Sequence, residues 1–107
     1  MIALGFSNGA NIGASLLLLR PEALGDAALL RPTLPFEPEG LPDLLGRRIL
    51  LASGERDPYA PPEGVRRLAE LLSSAGAEVE HHWSPGAHGL EADDLDAARS
   101  WFTALAA

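Results

Sequence analysis

The chain alternates between two kinds of apolar pattern, short continuous runs and longer stretches at helical spacing. The run Met1 to Phe6 is short, apolar and closed by Gly5-Phe6-Ser7-Asn8-Gly9, which predicts a buried strand followed by a sharp turn. Asn8 to Leu19 is rich in Ala and Leu and stops before Arg20-Pro21, which predicts a helix, since proline disfavours helical backbone in the residue before it. Asp26 to Arg31 reads as a second strand. Its Ala and Leu are weak strand formers, so that reading rests on its place in the alternation.

Pro32 to Gly46 carries Pro32, Pro35, Pro38 and Pro42 and no period, the pattern of a long loop whose apolar residues still find cover. A third strand is expected over Arg47 to Ser53, around Ile49-Leu50-Leu51-Ala52, followed by a turn-like Gly54 to Ala60. Pro61-Pro62 suits a helix start. Val65, Leu68, Leu72 and Ala75 then recur on one helical face, and Gly76 supplies a left-handed stop. Ala77 to Trp83 reads as a fourth strand and Ser84 to Glu91 as a loop. Leu95, Ala98, Phe102 and Leu105 mark a closing helix whose start is favoured by Asp93 and Asp94. Strands alternating with helices predict an α/β fold with a parallel sheet of about four strands and right-handed crossovers.

The 107 residues suit one domain over 1–107. A formal charge of -7, with 8 arginines scattered along the chain as its basic residues, repels phosphate backbones and anionic lipid, so neither nucleic acid nor a membrane surface is expected as a partner. No apolar run exceeds four residues, as in Leu16 to Leu19, against the roughly 20 that a spanning helix needs. Met1-Ile2-Ala3-Leu4 lacks the charged start of a secretory signal, and the absence of cysteine suits a reducing cytoplasm.

Gly5-Phe6-Ser7-Asn8-Gly9 is a G-x-S-x-G between a predicted strand and a predicted helix. At such a turn a serine sits on strained backbone that lifts its hydroxyl above the sheet, and flanking glycines leave room for strand and helix. The amide of Asn8 would donate to an oxyanion at the helix N-terminus. The plainer reading is a tight turn with Ser7 as helix cap. A dinucleotide loop would need glycines where Ser7 and Ala10 stand, and a phosphate loop needs a lysine that the chain lacks.

Serine is a weak nucleophile at neutral pH and needs a base, which in turn needs a carboxylate to fix its tautomer. Asp57 follows the third predicted strand and His88 the fourth, so both fall at the carboxyl edge where Ser7 also emerges. Asp57 before Pro58 is also ordinary turn chemistry, and Glu55 is a competing carboxylate. His81 and His82 point to opposite faces of a strand, which spoils them as a paired metal site. Trp83, Trp101 and Phe102 read as core or interface.

Gly-Phe-Ser-Asn-Gly-Ala-Asn at 5 to 11, Gly54 to Pro62 with its Asp-Pro, and Gly86-Ala87-His88-Gly89 resemble the nucleophile, acid and base segments of the α/β-hydrolases. The likeness is to the phospholipase/carboxylesterase and dienelactone-hydrolase-like branch, over its carboxyl-terminal half. The resemblance implies a serine hydrolase of carboxylic esters with Ser7 as nucleophile, Asp57 as orienting acid and His88 as general base. It implies neither metal nor organic cofactor. By analogy the loop Pro32 to Gly46 forms a lid or acyl-pocket wall with Leu34 and Phe36 as substrate contacts; the alternative is that these two cover the end of the sheet.

In that family a segment before the nucleophile strand supplies a second oxyanion amide, so the resemblance identifies one donor, Asn8. A first strand left at the edge of the sheet would expose unpaired backbone and an apolar face, and the expectation is a homo-oligomer joined through Met1 to Phe6. The competing function is a non-catalytic, oligomerising hydrolase fragment.

Overall fold

The computed structural model describes residues 2–106; Met1 of the expected first strand lies outside them. In chain order the elements are β1 (Ile2–Phe6), α1 (Asn8–Leu19), a 3-10 turn (Pro21–Ala23), β2 (Asp26–Leu30), β3 (Arg48–Gly54), α2 (Pro62–Ser74), β4 (Glu78–Ser84) and α3 (Ala92–Ala106). The strands form one sheet in the order β1-β2-β3-β4, and every pairing is parallel. Arg31, expected at the end of β2, lies just past it in the left-handed region with φ 58°.

Two apolar layers sandwich the sheet. Ala10, Ala14 and Leu17 of α1 and Leu68 and Leu72 of α2 pack on Ala27, Leu29, Ile49 and Leu51. Ala98 and Trp101 of α3 pack on Ala28 and Leu50 from the other side. β2 and β3 are therefore covered on both faces, which is why their sequences read as runs rather than alternations. Gly13 lets α1 lie close: a Cβ there would come within 2.8 Å of the Leu29 side chain. In the proline-rich segment Leu44 is fully buried in the α1–α2 layer. Gly76 ends α2 at φ 104°, where the chain turns toward β4.

α3 leaves β1 open on its side. Ala3 faces the covered layer, whereas Ile2, Leu4 and Phe6 alternate onto the other face and remain 48%, 62% and 42% exposed. Among the described residues no helix is long and apolar enough to cross a membrane.

On β4, His81 faces the α2 side half-buried, stacked on Trp83 with ring centroids 4.4 Å apart and 3.1 Å from the Ser53 hydroxyl. Burial, then the nearby Arg66 and His82, push its pKa down from 6.5 to about 4. The fold thus favours the neutral ring, so this contribution to stability is complete above pH 6.5 and is lost as pH falls toward about 4. Urea unfolding across that interval should show the parent losing more stability than His81→Gln; parallel curves would contradict this.

Candidate active site

The carboxyl ends of the strands carry the chemistry. After β1 the chain turns directly into α1 through Ser7, whose φ of 56° and ψ of -111° lie outside the ordinary regions for a residue with a Cβ. The turn is anchored by the Ser7 amide, which donates to the Leu30 carbonyl at 2.9 Å. It is tight because Gly5 has no side chain: a Cβ there would stand 2.6 Å from the Gly9 backbone. Gly9 differs from expectation, since a Cβ on it would meet open space. Only the first glycine of the pair makes room.

The Ser7 side chain makes no capping hydrogen bond to α1. Its Oγ lies instead 2.7 Å from Nε2 of His88, and Nδ1 of the same ring lies 2.6 Å from Oδ2 of Asp57. Asp57 is 3% exposed, and its other oxygen accepts from the Tyr59 amide at 2.8 Å. A carboxylate oxygen accepts, so Nδ1–H is the donor to Asp57, and in the neutral imidazole that tautomer leaves the Nε2 lone pair facing the serine hydroxyl. The three sequence-predicted side chains, 7, 57 and 88, thus form one hydrogen-bonded chain; Glu55 takes no part in it.

Close backbone approach holds the His88 loop against β3. The amides of Glu55 and Arg56 donate to the carbonyls of Ser84 and Gly86 at 2.9 and 3.0 Å. A Cβ on Gly54 would stand 2.6 Å from the Gly86 carbonyl oxygen and nearer still to that of Ala87.

The amide of Asn8 is the first of α1, where helix geometry offers no carbonyl partner, and it shares a cleft with Ser7. That cleft, about 530 Å³, is lined by Ser7, Asn8, Asn11, Thr33, Tyr59 and His88. Leu34 and Phe36, expected as its wall, are not there. Both pack against the α1–α2 core, and Phe36 borders a separate hollow with Leu18 and Leu19. Thr33 stands at the rim instead because Asn11 Oδ1 accepts from its amide at 2.8 Å and its hydroxyl at 3.2 Å, directing the following residues over α1. Asn11 and Tyr59 fall within the hydrolase-like sequence segments without a role of their own, and Thr33 falls outside them. Asn11, one helical turn beyond Ser7, is the one with a readable signal.

His82, as expected, faces away from His81. Its Nε2 lies 3.3 Å from Asp93 and 3.8 Å from Asp94, a grouping with the donors for a cation. Both Asp94 oxygens, however, already accept from the Arg31 guanidinium, a cation in its own right.

No family model matches the chain. It is 36% identical over 102 residues to "Putative hydrolase MhqD" of Bacillus subtilis (strain 168), covering 95% of this chain and 51% of that protein. Among solved structures, a Bacillus cereus carboxylesterase superposes with a TM-score of 0.92 at 36% identity, covering 96% of this chain and 49% of its own. A Mesorhizobium loti carboxylesterase does so with a TM-score of 0.86 at 38% identity, over 95% and 48%. The chain spans about half the length of the relatives it matches.

The strained turn yields a stability test. Ser7→Gly should be more stable than Ser7→Ala by about 1 kcal/mol, because glycine relieves the positive-φ strain that alanine keeps. Equal urea midpoints for the two variants would contradict the backbone geometry.

Proposed function

We propose that this chain, a half-length homologue of the α/β-hydrolase carboxylesterases, contributes the nucleophile, base and acid of a serine hydrolase acting on carboxylic esters. The observation that carries the reading is the Ser7 hydroxyl, turned away from capping its helix and aimed at an imidazole 2.7 Å away.

In this scheme Ser7 Oγ attacks the ester carbonyl carbon as its proton passes to Nε2 of His88. Asp57, buried against the ring, stabilises the imidazolium and keeps it oriented. Negative charge gathers on the former carbonyl oxygen, where the Asn8 amide and the positive end of α1 receive it. Collapse of the tetrahedral intermediate breaks the ester C–O bond, and the departing alkoxide takes the proton from His88. The acyl-serine that remains is attacked by water, whose proton follows the same route through Nε2, and the carboxylic acid leaves with Ser7 restored. Side chains and water account for every proton and electron pair. The polar rim of Asn11, Thr33 and Tyr59 suits a short or oxygenated acyl group better than a long alkyl chain. A reducing compartment such as the cytoplasm suits a chain without cysteine.

A second reading has its own observation. The exposed stripe of Ile2, Leu4 and Phe6 favours an assembly module in which a second copy covers β1. Light scattering at low concentration separates the outcomes: a stable monomer argues against a homo-oligomer, and a folded oligomer that does not turn over p-nitrophenyl esters favours this reading.

A fluorophosphonate probe, mapped by mass spectrometry, should label Ser7, and His88→Ala should abolish labelling. Labelling at another residue, or none in a folded sample, would overturn the hydrolase reading. Gly54→Ala, which crowds the Gly86 and Ala87 carbonyls, should slow labelling by roughly 10-fold or more through displacement of the imidazole.

A further inference from the structure

One residue outside the cleft touches the chain on both sides of His88. Arg31 follows β2 and is fully buried, and its φ of 58° turns its side chain beneath the loop between β4 and α3. Its Nε donates to the Ala87 carbonyl at 2.9 Å and its Nη2 to the Gly89 carbonyl at 3.1 Å, so the carbonyls of both residues next to His88 end on one rigid guanidinium. Nη2 also reaches the Ser84 hydroxyl at 3.0 Å, and Nη1 the Ala52 carbonyl at 3.3 Å. The charge is met by Asp94, also fully buried, in a fork of 2.9 and 2.7 Å. Asp94 in turn accepts from the Glu91 amide at 2.8 Å, the reach-back from the third helical position that closes a helix start.

A buried ion pair of this kind is often no more stabilising than apolar side chains of the same volume, so stability alone does not explain it. Its geometry does something that apolar filler cannot. A planar fork with five N–H donors ties the ends of β2, β3 and β4, the start of α3 and both neighbours of His88 to one point. Lysine has the charge but not the fork.

We propose that Arg31, locked by Asp94, is the positioning residue for His88: it sets the height and tilt of the imidazole against Ser7 without touching substrate. The proposal rests on the hydrolase reading for its kinetic consequence, but the placement of the ring can be measured without turnover.

The test compares the protein with Arg31→Lys, folding being verified by circular dichroism. Fluorophosphonate labelling of Ser7 and kcat for p-nitrophenyl acetate should both fall by about 10- to 100-fold, with KM within about threefold, as a displaced base affects the chemical step rather than binding. The downfield Nδ1 proton of His88 in the proton NMR spectrum should shift or broaden away. Labelling within twofold of the parent and an unchanged resonance would overturn the proposal. If the parent itself is not labelled, the hydrolase reading fails, and the resonance alone decides the positioning: loss in Arg31→Lys supports it and persistence overturns it. Should Arg31→Lys not fold, Ser84→Ala removes one acceptor and keeps the ion pair. The resonance should then move with a severalfold slowing of labelling, and a spectrum and rate matching the parent would overturn the proposal.

Discussion

Parallel pairing is the constraint from which the site follows. Four strands running the same way bring every carboxyl end to one edge, so residues distant in sequence emerge side by side. Ser7 leaves β1, Arg31 leaves β2, Asp57 follows β3 and His88 follows β4, and all four gather at that edge because the strands are in register. Double coverage of β2 and β3 makes that register hard to change, since a slip by one residue would exchange their two buried faces.

Within this frame, orientation comes from backbone held in unusual places. Ser7 and Arg31 are the described non-glycine residues with positive φ, and both sit directly after strands that end at the site. One turns a hydroxyl up toward the cleft; the other turns a guanidinium down under the loop. Left-handed backbone costs of order 1–3 kcal/mol per residue and persists only where the surroundings hold it. Here the anchors are the Ser7 amide on Leu30 and the Arg31 amide on Ala52, each a hydrogen bond to a carbonyl of the adjacent strand.

Much of this was legible in the sequence, for identifiable reasons. Helical spacing in Val65, Leu68 and Leu72 and the Pro-Pro start locate α2, and the run Ile49 to Ala52 locates β3, because these signals are local. The neighbourhood of 7, 57 and 88 could be read from topology, as each follows a strand. The Arg31–Asp94 pair could not, since the partners are 63 residues apart and neither belongs to a pattern. The cleft wall differs from expectation for a related reason. In Pro32-Thr33-Leu34-Pro35-Phe36 apolar character suggested Leu34 and Phe36, whereas a hydrogen bond from Thr33 to Asn11 decides which residue reaches the rim and sends the two apolar side chains to the core.

The open face of β1 has a practical consequence. Ile2, Leu4 and Phe6 offer a dye such as ANS a surface in the native state, so bright fluorescence from a fresh preparation is not evidence of a molten globule. Thermal-shift traces read with such dyes start from a raised baseline, and melting is better followed without a dye, through the far-ultraviolet dichroism of α1, α2 and α3.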